Sequence, residues 1–239
     1  MFKYNKKIIL CILALDLFFL VGAIVLFAFE ILLEPYHIII PLSPCVPLTI
    51  LLVKCFIANS VMVKYESKML QKDYVKADET LAKQAKKNKW ATVLRINLFL
   101  IRGDSELYIF HYNSANLNFG KKSLRYYNYL LEAFRVYYDL ILNNDINLTK
   151  VHNIQGIEPS YPAKIYCEAI ALLIQGKFEI ALNLIQQSKS AGGEFLQFVY
   201  AYIQYLCVKG LGRNEAEYLE SIKKIAYNDF LKNIVNNTI

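Results

Sequence analysis

The chain has 239 residues, 56% of them hydrophobic and 20% charged, with a formal net charge of +7. So apolar a composition excludes a disordered polyelectrolyte, and an odd count of five cysteines with no CxxC pair argues against a disulfide framework or a zinc site. The charge is modest and no recognisable nucleic-acid-binding motif accompanies it, so nucleic acid is not an expected partner.

The first 63 residues carry two apolar runs, Ile8–Phe29 and Ile38–Val63, joined across Glu30–His37. About 20 apolar residues rising roughly 1.5 Å each match a hydrocarbon core of about 30 Å. The first run exceeds the ~7–15 residues of a signal-peptide core, and no small-x-small cleavage site follows it. The second run opens with Pro41, Pro44 and Pro47. It reads either as an extended or re-entrant start before a helix from about Val46, or as a full span kinked in its outer third. Lys3, Lys6 and Lys7 precede the first run and Lys64, Lys68, Lys72 and Lys76 follow the second, while the connection has only Glu30, Glu34 and His37. The positive-inside rule then predicts a transmembrane hairpin, multi-pass in a plasma membrane, with both termini cytoplasmic. Asp16 and Lys54 lie equally far from a turn near Pro35. An antiparallel hairpin would bring them to one depth as an intramembrane ion pair, unless Lys54 snorkels to the inner interface.

From residue 64 to 239 the pattern changes to helical periodicity with few Gly or Pro, which predicts an all-α cytoplasmic domain. A helix over Val63–Lys87 would carry Lys64, Lys68, Lys72 and Lys76 as a slowly turning basic stripe, and anionic membrane lipids are its expected partner. An ordinary solvated helix face is the plainer alternative, given the interleaved Glu66, Asp73, Asp78 and Glu79. Helices are predicted next over Trp90–Arg102, Asp104–Tyr112 and Ser123–Asn143, with loops at His111–Asn118 and Asn144–Ser160. Pro162–Gln175, Lys177–Ser190, Glu194–Lys209 and Asn214–Ile234 complete the prediction as helical pairs broken at Gly192–Gly193 and Gly210–Gly212.

A weak internal repeat runs through this region. QKDYVKADETL at Gln71–Leu81 resembles QGKFEIALNLI at Gln175–Ile185, and Ala77 and Ala181 stand about three periods of ~34 residues apart. RGDSELYIF at Arg102–Phe110 carries a fainter version of the turn. In Pro162–Lys189, Ala169, Leu172, Gly176, Phe178, Ala181 and Ile185 fall at the positions that make this segment resemble a tetratricopeptide repeat (TPR). The resemblance implies antiparallel helix pairs that stack, with Gly176 relieving the turn and Ala169 and Ala181 permitting close approach. The Trp and Leu usual in the first helix of that family are replaced by Ile165 and Glu168, so a plain antiparallel helical domain stays open as the alternative.

The helix around Tyr126, Tyr127, Tyr129, Phe134, Tyr137 and Tyr138 holds more aromatics than one buried face needs. They read as core and rim. The sharper alternative is a groove for a partner peptide lined by Tyr126, Tyr129, Tyr137 and Tyr202. Catalytic signals are lacking: His37, His111 and His152 are scattered, and no Walker loop, GxGxxG, GxSxG or HExxH occurs. No enzyme activity, metal or cofactor is expected. Abundant Lys, Ile, Asn and Tyr fit the AT-rich codons of a low-GC bacterium. The function these features imply is a membrane-anchored helical-repeat adaptor that recruits a cytoplasmic protein or peptide. An accessory subunit of a transporter or secretion complex and a membrane-bound sensor are the rivals.

Overall fold

Apolar residues recurring every three to four positions dictate helices, and the computed structural model is helical wherever it shows regular structure. It describes residues 14, 15, 17, 18, 21, 45–115, 125–142, 145, 146, 148, 151, 162–188 and 193–238. Among the described residues there is no strand. The chain divides into two compact units, Met1–Thr80 and Leu81–Ile239. The sequence-based boundary at residue 63 falls instead inside a continuous helix.

In the first unit, α1 (Cys45–Leu70) runs unbroken through Val63 into Lys64, Glu66 and Lys68. Its apolar part is interrupted by Pro47, Thr49, Lys54, Asn59 and Ser60. Among the described residues no helix is long and apolar enough to cross a membrane. That finding corrects the expected transmembrane hairpin and its multi-pass plasma-membrane placement. Of the first apolar run only Ala14, Leu15, Leu17, Phe18 and Val21 are described, each helical and exposed. Asp16 lies outside the described residues and so does its expected pairing; Lys54 is exposed on α1.

The predicted helix over Val63–Lys87 is two helices. α1 stops at Leu70 and α2 begins at Tyr74 and ends at Ala85. Between them the Lys72 amide donates to the Met69 carbonyl and the Asp73 amide to that of Lys68, both at 3.0 Å. This pair of bonds is the Schellman closure of a helix C-terminus, which needs a left-handed residue between them. Lys72 takes that role at φ 56°, where a β-carbon is crowded and glycine is not. Lys72→Gly is therefore expected to raise stability by about 0.5–1 kcal/mol, read as a higher thermal midpoint of the full chain.

The second unit holds α3 (Lys89–Arg102), α4 (Ser105–Ser114), α5 (Arg125–Ile141), α6 (Pro162–Ile174), α7 (Phe178–Gln187), α8 (Glu194–Gly210), α9 (Ala216–Ile225) and α10 (Asp229–Thr238). The same closure ends three of these helices. Gly103, Gly176 and Gly212 are left-handed at φ 97°, 71° and 63°. In each case that glycine and its successor donate back to the last turn: Gly103 to Leu100, Asp104 to Phe99, Gly176 to Leu173, Lys177 to Leu172, Gly212 to Lys209 and Arg213 to Val208. One turn chemistry thus joins α3 to α4, α6 to α7 and α8 to α9, and it is the sturdiest sign of repetition in the chain.

Packing follows the same plan. Within pairs, α3 lies on α4, α6 on α7 and α8 on α9. The leading helices also touch one another in series, α3 on α5, α5 on α6 and α6 on α8. Ala169 and Ala181, one on each helix of the α6–α7 pair, are fully buried, as is Ile185. Leu172 packs at the edge of the core. Gly176 is needed for its backbone angle alone, since a Cβ there would meet nothing within 4 Å. Phe178 is half-buried and lies on α8 of the next pair, where a Cβ on Gly210 would come within 2.6–2.7 Å of three of its ring carbons.

Two features depart from a plain stack. The predicted helix over Asn214–Ile234 breaks at Ala226–Asn228. Asn228 accepts from the Leu231 amide at 2.9 Å, capping α10. Its Nδ2 donates at 3.1 Å to the Ile101 carbonyl near the end of α3, and the Tyr227 hydroxyl donates to the same oxygen. The last helix is thereby latched to the first of this unit. The second departure lies in Asn144–Ser160, where Leu148 and Val151 are helical and Val151 is fully buried.

Candidate functional site

The four tyrosines predicted to line a groove do not all face outward. Tyr137 is 0% exposed and Tyr202 is 4% exposed, so both belong to the core, while Tyr126 and Tyr129 are half-buried. The reason is the position of α5. It touches α3, α6 and α8, and from Val136 to Ile141 every residue is buried. The surplus aromatics fill the inner side of the leading helices. Phe134 stacks on Phe195 with centroids 5.3 Å apart, and Tyr137 and Tyr166 approach at 6.2 Å.

The basic residues after Val63 do not form one ridge. Lys64 and Lys68 are on α1, Lys72 is in the turn and Lys76 is on α2. Lys68 donates to Gln71 at 3.1 Å, and Lys76 pairs with Asp73 at 2.9 Å. Its carboxylate neighbour holds the Lys76 ammonium above its ordinary value, and Lys76 in turn holds Asp73 below. The Schellman turn divides Lys64 and Lys68 from Lys76, and local partners engage Lys68 and Lys76.

Sequence patterning missed a polar cluster between α4 and α5. Glu132, Arg135 and Asp139 follow at helical spacing on α5, and Tyr108 and Tyr112 at i, i+4 on α4. Arg135 Nε donates to Asp139 Oδ2 at 3.0 Å. Its guanidinium lies 5.3 Å from the Tyr112 ring centre and 5.5 Å from that of Tyr138. The Tyr112 hydroxyl is 3.2 Å from both Glu132 oxygens, and Tyr108 packs on Tyr138 at 5.3 Å. Charge-assisted bonds and cation–π contact together offset the cost of drawing Arg135 and Asp139 out of water. The legible trace was the i, i+4 spacing of opposite charges within an aromatic helix.

Chemically reactive groups are held quiet. Among the described residues no three of His, Cys, Asp and Glu gather to hold a metal ion. His111 stacks on Phe99 at 5.0 Å. Cys167 and Cys207 are buried, and burial pushes each thiol up to about 12. Burial likewise raises the Tyr108 and Tyr137 hydroxyls well above their ordinary value. All four groups hold their protons more tightly folded than unfolded. Their contribution to stability is complete below the unfolded values, about 8.5 for a thiol and about 10 for a phenol. Above those values the unfolded chain releases protons that the folded chain keeps. Stability should fall by roughly 1.4 kcal/mol per pH unit for each such group, seen as urea midpoints that decline steadily from about pH 9 upward.

The architecture is that of an all-α protein built from packed helix pairs, consistent with a helical repeat. No family model, curated protein or solved structure matches the chain.

Proposed function

We propose that this protein is a helical-repeat adaptor that holds a protein or peptide partner without chemical turnover. The observation that carries the reading is the recurrence of one helix–Schellman turn–helix unit, stacked through its leading helices. Such arrays present broad surfaces instead of a reaction centre. The inner side is filled by tyrosines, so the partner surface is assigned to an outer helix. On α4, Leu107 and Phe110 stand at i, i+3, with Phe110 63% exposed. An apolar pair at that spacing is what a docking helix or extended segment uses as an anchor. The test is affinity capture by the full chain from its native cell, comparing wild type with Leu107→Asp/Phe110→Asp. The adaptor reading requires a protein retained by the wild type and lost from the variant, with unchanged circular dichroism and thermal midpoint. Retention of the same proteins by both would reject this surface.

A second reading has its own observation. Ile50, Leu51, Val53, Phe56, Ile57 and Val63 on α1 are all at least 46% exposed. A helix this apolar on several sides fits an accessory subunit of a larger assembly, whose helices would cover it. Co-purification of fixed stoichiometry that depends on Phe56 would favour that reading over the adaptor.

A further inference from the structure

The start of the second unit carries a run of one sign of charge. Between Glu79 and Asp104 the chain has no acidic residue, while Lys83, Lys86, Lys87, Lys89, Arg95 and Arg102 all fall there. The four lysines are exposed around the start of α3. Among the described residues no hydrogen bond or ion pair engages Lys83, Lys86 or Lys87. Lys76, Lys223 and Lys232, by contrast, each meet a carboxylate three residues away. The placement also works against the helix. No acidic residue stands in the first turn of α3, and cations at the positive end of a helix dipole are unfavourable.

Farther along α3 the charge reaches the apolar pair on α4. The Arg95 and Arg102 guanidinium carbons lie 5.4 and 5.1 Å from the Phe99 ring centre. His111 stacks on that ring at 5.0 Å and meets Phe110 edge-on at 5.3 Å. Leu107, Phe110 and His111 fall at i, i+3 and i+4, on one face of α4. From Phe99 back to Lys89 is about 15 Å of helical rise, a span that a short helical or extended segment covers. Across residues 83–115 the six cations face only Asp104, which pairs with Arg102, and Glu106.

We propose that the partner held at Leu107 and Phe110 is an acidic protein segment. Its apolar side chains seat on that pair, and Asp or Glu residues beside them face Lys83, Lys86, Lys87 and Lys89. This rests on the adaptor reading and its α4 surface, and adds the chemistry of the partner. An apolar anchor beside a cationic ridge favours such a segment over a neutral one and repels a basic one. A polynucleotide would engage the lysines but gain nothing from the apolar pair.

The test selects a random peptide library, displayed on phage, against the full chain. Enriched peptides should combine two apolar residues at helical spacing with several Asp or Glu. Synthesised, they should bind less tightly as salt is added, and Lys86→Glu/Lys87→Glu should weaken them by about tenfold. The thermal midpoint of that variant should hold or rise, because the same change relieves the start of α3; lost binding with retained stability separates lost charge from lost fold. Neutral or basic enriched peptides, or affinity unmoved by the double reversal, would overturn the acidic partner and leave the adaptor reading standing. Tighter binding to phosphatidylglycerol vesicles than to any selected peptide would overturn it in favour of a lipid surface. No enrichment, or equal binding by Leu107→Asp/Phe110→Asp, would remove the adaptor surface and this proposal with it.

Discussion

Gly103→Val should lower the stability of the full chain by about 2–4 kcal/mol. Gly103 closes α3 at φ 97°, a backbone angle that a β-branched residue does not adopt without strain. Its surroundings are closed as well: a Cβ would stand 3.3 Å from Asn228 Nδ2 and 3.3 Å from Phe230 Cβ. The substitution therefore strains the turn and pushes away the latch that Asn228 and Tyr227 make to Ile101. Gly193→Val separates the two effects. Gly193 has φ 104° but open space around its missing side chain, so it suffers the backbone strain alone. Urea midpoints of the two variants measure the difference. Equal losses would show that the latch contributes nothing.

Ala181→Trp should destabilise by about 3 kcal/mol or more. Ala181 is fully buried on α7, a helix packed against both α6 and α8. An indole there forces apart two helix contacts at once, since close-packed interiors do not flow to accommodate new volume. Ala181→Ser, nearly the same size, should cost much less. A neutral tryptophan variant would show that α7 is loosely seated, and would remove the repeat alignment at its best-matched segment.

Those two positions differ in how openly the sequence declared them. Ala181 was readable because its segment pairs a turn glycine, Gly176, with an aromatic-x-x-Ala pattern at the right spacing. The close approach at Gly103 was not, because it depends on Asn228, over a hundred positions away along the chain. The leading-helix tyrosines misled for a related reason. Surplus aromatics signal a helix buried on several sides as well as a binding groove, and only the contacts of α5 with α3, α6 and α8 distinguish the two. Lys72 hid a turn behind a four-residue lysine period, because a left-handed lysine leaves no glycine to read. The apolar runs carried length and hydropathy but no information on where α1 would end. The polar cluster was half-legible: the Arg135–Asp139 spacing is local, whereas its closure by Tyr108 and Tyr112 is tertiary.

The latch at Ile101 also bears on the order in which the protein acquires its structure. Most contacts in stacked helix pairs are short-range, and such topologies fold quickly. The bond from Tyr227 to Ile101 spans 126 residues, and closing a loop of that length costs about 4 kcal/mol of chain entropy beyond a constant. Tyr227 and Asn228 follow α3 by more than a hundred residues, so α3 leaves the ribosome well before they are available to it. The latch therefore closes later in synthesis than the local pairing of α3 with α4. A nascent chain stalled at Lys209 should therefore hold paired helices yet leave the carbonyl end of α3 open to solvent and to chaperones.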